Sequence, residues 1–129
     1  MSLYPDENRL VADIRARFPA EAALIDQRLE EQGWGDTDFE DIPHLWVEAF
    51  ADQASAAIKR KDAAALRAQT GFIAERYRAA PDTLCAIVDV AYAENIMCGT
   101  DGAQKRWAWQ HISFEIRELY RQMWGDPTN

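Results

Sequence analysis

Long apolar runs are missing from this 129-residue chain. No segment approaches the ~18 uninterrupted apolar residues of a membrane span. The opening MSLYPDENR has no apolar stretch of signal-peptide length. Cysteine is scarce, with only Cys85 and Cys98. Near the two ends of one expected helix, they would stand roughly 20 Å apart at ~1.5 Å per residue. A disulfide tolerates a Cα separation of only ~7 Å, so reduced, structural thiols and a cytoplasmic location are expected. Histidine is limited to His44 and His111, and neither CxxC nor HExxH occurs. With no phosphate-cradling glycine loop and no nucleophile turn either, no metal, cofactor or catalytic set is expected.

Positive charge is in short supply as well. Fourteen Lys and Arg face twenty-two Asp and Glu, for a net charge of −8. A surface of that sign repels a phosphate backbone, which argues against nucleic acid and anionic membranes as partners. The excess is concentrated: residues 1–42 hold eleven acids and four bases, whereas residues 43–129 are nearly balanced. Such a field attracts a basic protein. What the chain does have is apolar and aromatic content, 48% and 11%. That is enough for one globular domain over residues 1–129, which would bury about 65–70% of its extended-chain surface.

The pattern is helical throughout, giving an all-α fold of five to six helices. Leu10, Ile14, Arg17 and Phe18 share one face of a helix over residues 6–18. Pro19 punctuates, residues 20–31 form a second helix, and Gly33 and Gly35 stop it around Trp34. A polar loop through Asp41 follows, closed by Pro43 at the start of a third helix over residues 44–60. Asp62 is an expected N-cap for a fourth helix over residues 63–79. Pro81-Asp82-Thr83 restarts the chain. Residues 84–97 are apolar on nearly every side, which predicts a buried central helix. The last helix is expected over residues 103–124, ended by Gly125 and Pro127. The architecture is then an irregular bundle or a short HEAT-like array of helical hairpins.

Few constellations could carry chemistry. Asp89 and Glu94 lie on the apolar helix and need partners, with Arg76, Arg78, Arg106 and Trp109 as candidates. Trp107, His111 and Glu115 fall at spacings of four, which would line them along one helix face. The richest segment is the loop. Trp34, Phe39 and Trp46 flank Asp36, Asp38, Glu40 and Asp41, with His44 beside them. Aromatics supply interface anchors and acids set the sign of the partner, so these eight residues form the expected partner-binding site. The alternatives are aromatics that plug the core above water-facing acids, or a Ca²⁺ loop, although the EF-hand spacing is absent.

Several segments taken in order carry a resemblance: Asp62, Phe72-Ile73-Ala74-Glu75, Pro81-Asp82, Ala93-Glu94-Asn95-Ile96 and Leu119 to Gly125. Over about residues 43–125 they resemble a family of small, uncharacterised helical proteins from bacteria. The resemblance implies a compact helical domain and carries no catalytic residues. Small acidic proteins of this kind look like immunity proteins, which neutralise a toxin. The expected function is therefore a non-enzymatic immunity or antitoxin protein that occludes a basic partner, a toxin by that analogy alone. The alternative is a homo-oligomeric scaffold joined through Trp107, Trp109 and Trp124 of the last helix.

Overall fold

A computed structural model describes residues 3–127; residues 1, 2, 128 and 129 of the expected 1–129 domain lie outside the described residues. Proline begins four helices, since its missing N–H costs nothing in a first turn. These are α1 (Pro5–Arg17), α2 (Pro19–Leu29), α3 (Pro43–Lys59) and α5 (Pro81–Ala86). Between them stands α4 (Ala63–Ala79), capped as expected by Asp62, whose carboxylate accepts from the Ala65 N–H at 3.0 Å. Asp101 and Gln104 cap α6 (Gly102–Trp109) reciprocally, at 2.8 and 2.9 Å. The chain ends on α7 (Phe114–Trp124), after which Gly125 takes a φ of 81°. All regular structure among the described residues is helical.

Among the described residues seven α-helices replace the expected five to six, because residues 103–124 do not run straight. The chain leaves helical geometry before Ser113, which is extended (ψ 148°). The Ser113 N–H donates to the Thr70 hydroxyl of α4 at 3.3 Å. This bend lets Trp109, Ile112 and Ile116 all reach the core.

The centre also lies elsewhere than expected. Residues 84–97 are not a helix buried all round: Cys85 and Ala86 are exposed and Val90 keeps 52% of its surface. Instead α5 runs into a wide, π-type segment, Ile87–Ala93, whose other face packs on α3 and α7. The hub is α3, which meets α1, α2, α4, α6 and Ile87–Ala93. Its buried residues cover all but one face, where Glu48, Ala56 and Lys59 are exposed, and include Ala49, Ala51, Ala54 and Ala57. Alanine makes α3 slender enough for neighbours to approach on every side but that one. A helix touched by so many others is unlike a stacked array, where each unit meets only the next; the irregular bundle is the better description. Aromatic rings fill the centre, with Phe50 stacked between Trp46 and Tyr92 at centroid separations of 6.3 and 5.9 Å.

Candidate functional site

The acidic loop is built by two turns. After α2 the chain continues as a wide turn, Glu30–Trp34, in which Gly33 adopts a φ of 97°. That left-handed geometry favours glycine and swings the following residues back toward α1. A single 3₁₀ turn, Phe39–Asp41, then leads into α3. Asp38 caps it by accepting from the Glu40 N–H at 3.0 Å, and Asn8 of α1 donates to the Glu40 carbonyl at 3.0 Å. Trp34 and Phe39 are half-buried and pack against the core.

Asp36, Asp38, Glu40 and Asp41 are all exposed. None of them joins an ion pair among the described residues. Six arginines are held elsewhere: Arg15 by Asp26, Arg28 by Asp52, Arg60 by Asp62, Arg76 by Asp13, Arg78 by Glu115 and Arg121 by Glu118. Four like charges within six residues therefore keep their negative field. Next to them lies an open groove of about 500 Å³, with Val11, Ala12 and Phe39 as apolar wall and Asp38 and Glu40 as acidic wall. Arg15 also lines it, but two hydrogen bonds to Asp26 at 2.6 and 2.9 Å offset its charge. No three acidic, histidine or cysteine side chains among the described residues converge as metal ligands.

One of the eight expected partner-binding residues is placed differently. Trp46 is no surface anchor: it is 0% exposed, donates from Nε1 to Asp26 at 2.9 Å and lies under the Arg15 guanidinium at 4.9 Å. Its position one turn into the hub helix drives it inward. His44 is half-buried, edge-on to Tyr4 at 5.8 Å. The sequence reading missed what lies beyond it. Glu48 and Asp52 follow His44 at helical spacing, and burial raises the Glu48 pKa, helped by the charges of Asp52 and Glu94. Glu48, outside every ion pair among the described residues, thus carries negative charge onto α3, whereas Asp52 is offset by Arg28 at 3.0 Å; the four-residue spacing was the available signal.

The other expected constellations dissolve. Arg76 and Arg78 do not serve Asp89 and Glu94, being held by Asp13 and Glu115. The bend before Ser113 separates His111 from Glu115, so Trp107, His111 and Glu115 do not line one helix. His111 lies tilted against Trp107 at a centroid separation of 4.8 Å, and burial, with Arg67 nearby, lowers its pKa. Trp109 is buried beneath Arg117 and Arg121, which removes it from any self-association face. Cys85 and Cys98 are free, as expected, yet exposed rather than structural.

Glu115 shows what a local pair does. The hydrogen bond from Arg78 at 2.6 Å lowers its pKa, outweighing partial burial. Its contribution to stability is present above the ordinary value of 4.5 and fades as pH falls through the depressed one. Arg78→Ala should move the Glu115 titration up toward that ordinary value, read by carboxyl ¹³C NMR; an unmoved titration refutes the pairing.

A family model described as a domain of unknown function, DUF7674, matches residues 11–125. The expected likeness to a helical family without an assigned function is shown, and it reaches back into α1. No curated protein and no solved structure matches the chain.

Proposed function

The chain belongs to the DUF7674 family, a domain of unknown function, and we propose that it is a non-enzymatic, cytoplasmic binding protein that occludes a basic partner protein, as a bacterial immunity or antitoxin protein does. One observation carries the reading: Asp36, Asp38, Glu40 and Asp41 stand exposed outside every ion pair among the described residues. Opposite charge on a partner would be drawn to them and steered into register. Trp34 and Phe39 flank the acids as apolar contacts, and the adjoining groove suits the stem of an arginine or lysine, whose head would meet Asp38 and Glu40. Two free, exposed thiols suit a reducing compartment. No helix among the described residues is long and apolar enough to cross a membrane.

Octa-arginine, a model cation, tests the steering. Its association rate constant should fall steeply between low salt and physiological salt, where the screening length is ~8 Å. A rate indifferent to salt refutes the proposal.

Of the self-association reading's Trp107, Trp109 and Trp124, Trp107 is half-buried and Trp109 buried, which leaves Trp124, 59% exposed, with Phe114, 61% exposed, on the same helix. Arg117, Glu118 and Arg121 lie between them on α7, and the Trp124 indole donates to the Glu94 carbonyl at 3.2 Å. That face is too interrupted by charge to compete with the loop.

A further inference from the structure

A second cavity, of about 550 Å³, opens between the α1–α2 corner and the facing surfaces of α3 and α4. Its volume falls in the range of small-molecule sites. Phe18 and the exposed Leu24 form one apolar wall, and alanines of α3 and α4 form the other. Arg17 and Arg60 both line it and both are exposed. Glu21 is the acid on its lining, and its main-chain carbonyl accepts from the Gln53 amide at 3.0 Å.

A buried polar group adds to this shape. Gln69 is 6% exposed and lines the same cleft. Its Oε1 accepts from the Tyr92 hydroxyl at 2.7 Å, and that ring is fully buried. This bond fixes the amide plane and leaves Nε2 as the free end. Nε2 makes no hydrogen bond among the described residues and is not sealed from the cleft. A donor in so apolar a setting calls for an acceptor. Arg17, outside every ion pair among the described residues, and Arg60, held only loosely by Asp62 at 3.4 Å, bring positive charge to a chain of net charge −8 and call for an anion.

We propose that this cleft binds a small carboxylate with an apolar body and a hydrogen-bond acceptor between the two. The body lies against Phe18 and Leu24, the acceptor takes the Gln69 Nε2 hydrogen, and the carboxylate meets Arg17 and Arg60. The site is independent of the acidic loop and of its partner.

Hippurate, an aromatic ring joined through an amide carbonyl to a carboxylate, is the probe. Titrated into the full chain, it should shift the Gln69 side-chain NH₂ signals in ¹H–¹⁵N spectra. Hippuramide, which lacks the charge, should bind about tenfold more weakly, as expected for loss of a charge-assisted hydrogen bond. The double variant R17E/R60E should weaken hippurate similarly. Both arginines are exposed, so the variant should keep its far-ultraviolet circular dichroism. An unmoved Gln69 signal at millimolar hippurate overturns the proposal. So does equal affinity for hippuramide, or undiminished hippurate binding by a folded R17E/R60E.

Discussion

Trp46→Ala should destabilise the protein by about 3–5 kcal/mol, the usual cost of emptying a large core site. The residue is wholly buried on α3, stacked against Phe50, and hydrogen-bonded through Nε1 to Asp26. Truncation leaves a void on the hub helix, bordered by Phe50, Asp26 and Arg15. It also takes a donor from Asp26. Burial by itself raises the pKa of that carboxylate, but hydrogen bonds from Arg15 and Trp46, together with the Arg15 charge, leave it lowered overall. Asp26 therefore contributes stability above its ordinary 3.8, and the contribution is lost as pH falls through the depressed folded value. Trp46→Phe keeps most of the packing and should cost less than alanine. Urea unfolding of the two variants, repeated near pH 3, separates ring from indole N–H. If alanine leaves the midpoint unchanged, the placement of Trp46 in the core is wrong.

Neutralising the loop should act on association and leave folding alone. With D36N/D38N/E40Q/D41N, the low-salt association rate with octa-arginine should drop by about tenfold or more, within the range by which charged surfaces accelerate encounter. Rates for wild type and variant should converge at high salt. Asp38 also caps the 3₁₀ turn, so D36N/D41N isolates charge from loop geometry. E75Q/D82N removes two exposed charges elsewhere and serves as the control. Equal losses in D36N/D41N and E75Q/D82N would reduce the effect to net charge and sink the idea of a localised site.

Local signals were legible in the sequence. Pro43 and Pro81 mark helix starts, Asp62 caps α4, Gly33 turns the chain and Gly125 ends α7, because each acts through its own backbone or that of a near neighbour. The acidic loop was legible for the same reason, its members being consecutive. What escaped depends on partners distant in sequence. Trp46 reads as an aromatic beside acids until Arg15 and Asp26 close around it. The bend before Ser113 requires Thr70, on another helix. The hub was misplaced because apolar patterning favours Ile87, Val88 and Ile96 over alanine, although small volume is what lets a helix be surrounded. Glu48 is readable from its four-residue spacing after His44, a weaker signal than the consecutive charges of the loop.

The slenderness of α3 also sets the direction in which this fold can diverge. Ala49, Ala51, Ala54 and Ala57 sit where helices meet, and enlarging a packed site forces neighbours apart. The outer helices offer solvent-facing positions on which new specificities could evolve without repacking. Descendants of this sequence would then diversify at the periphery while their middle stayed small, so the acidic rim could be recoloured for another partner long before the interior could be rebuilt.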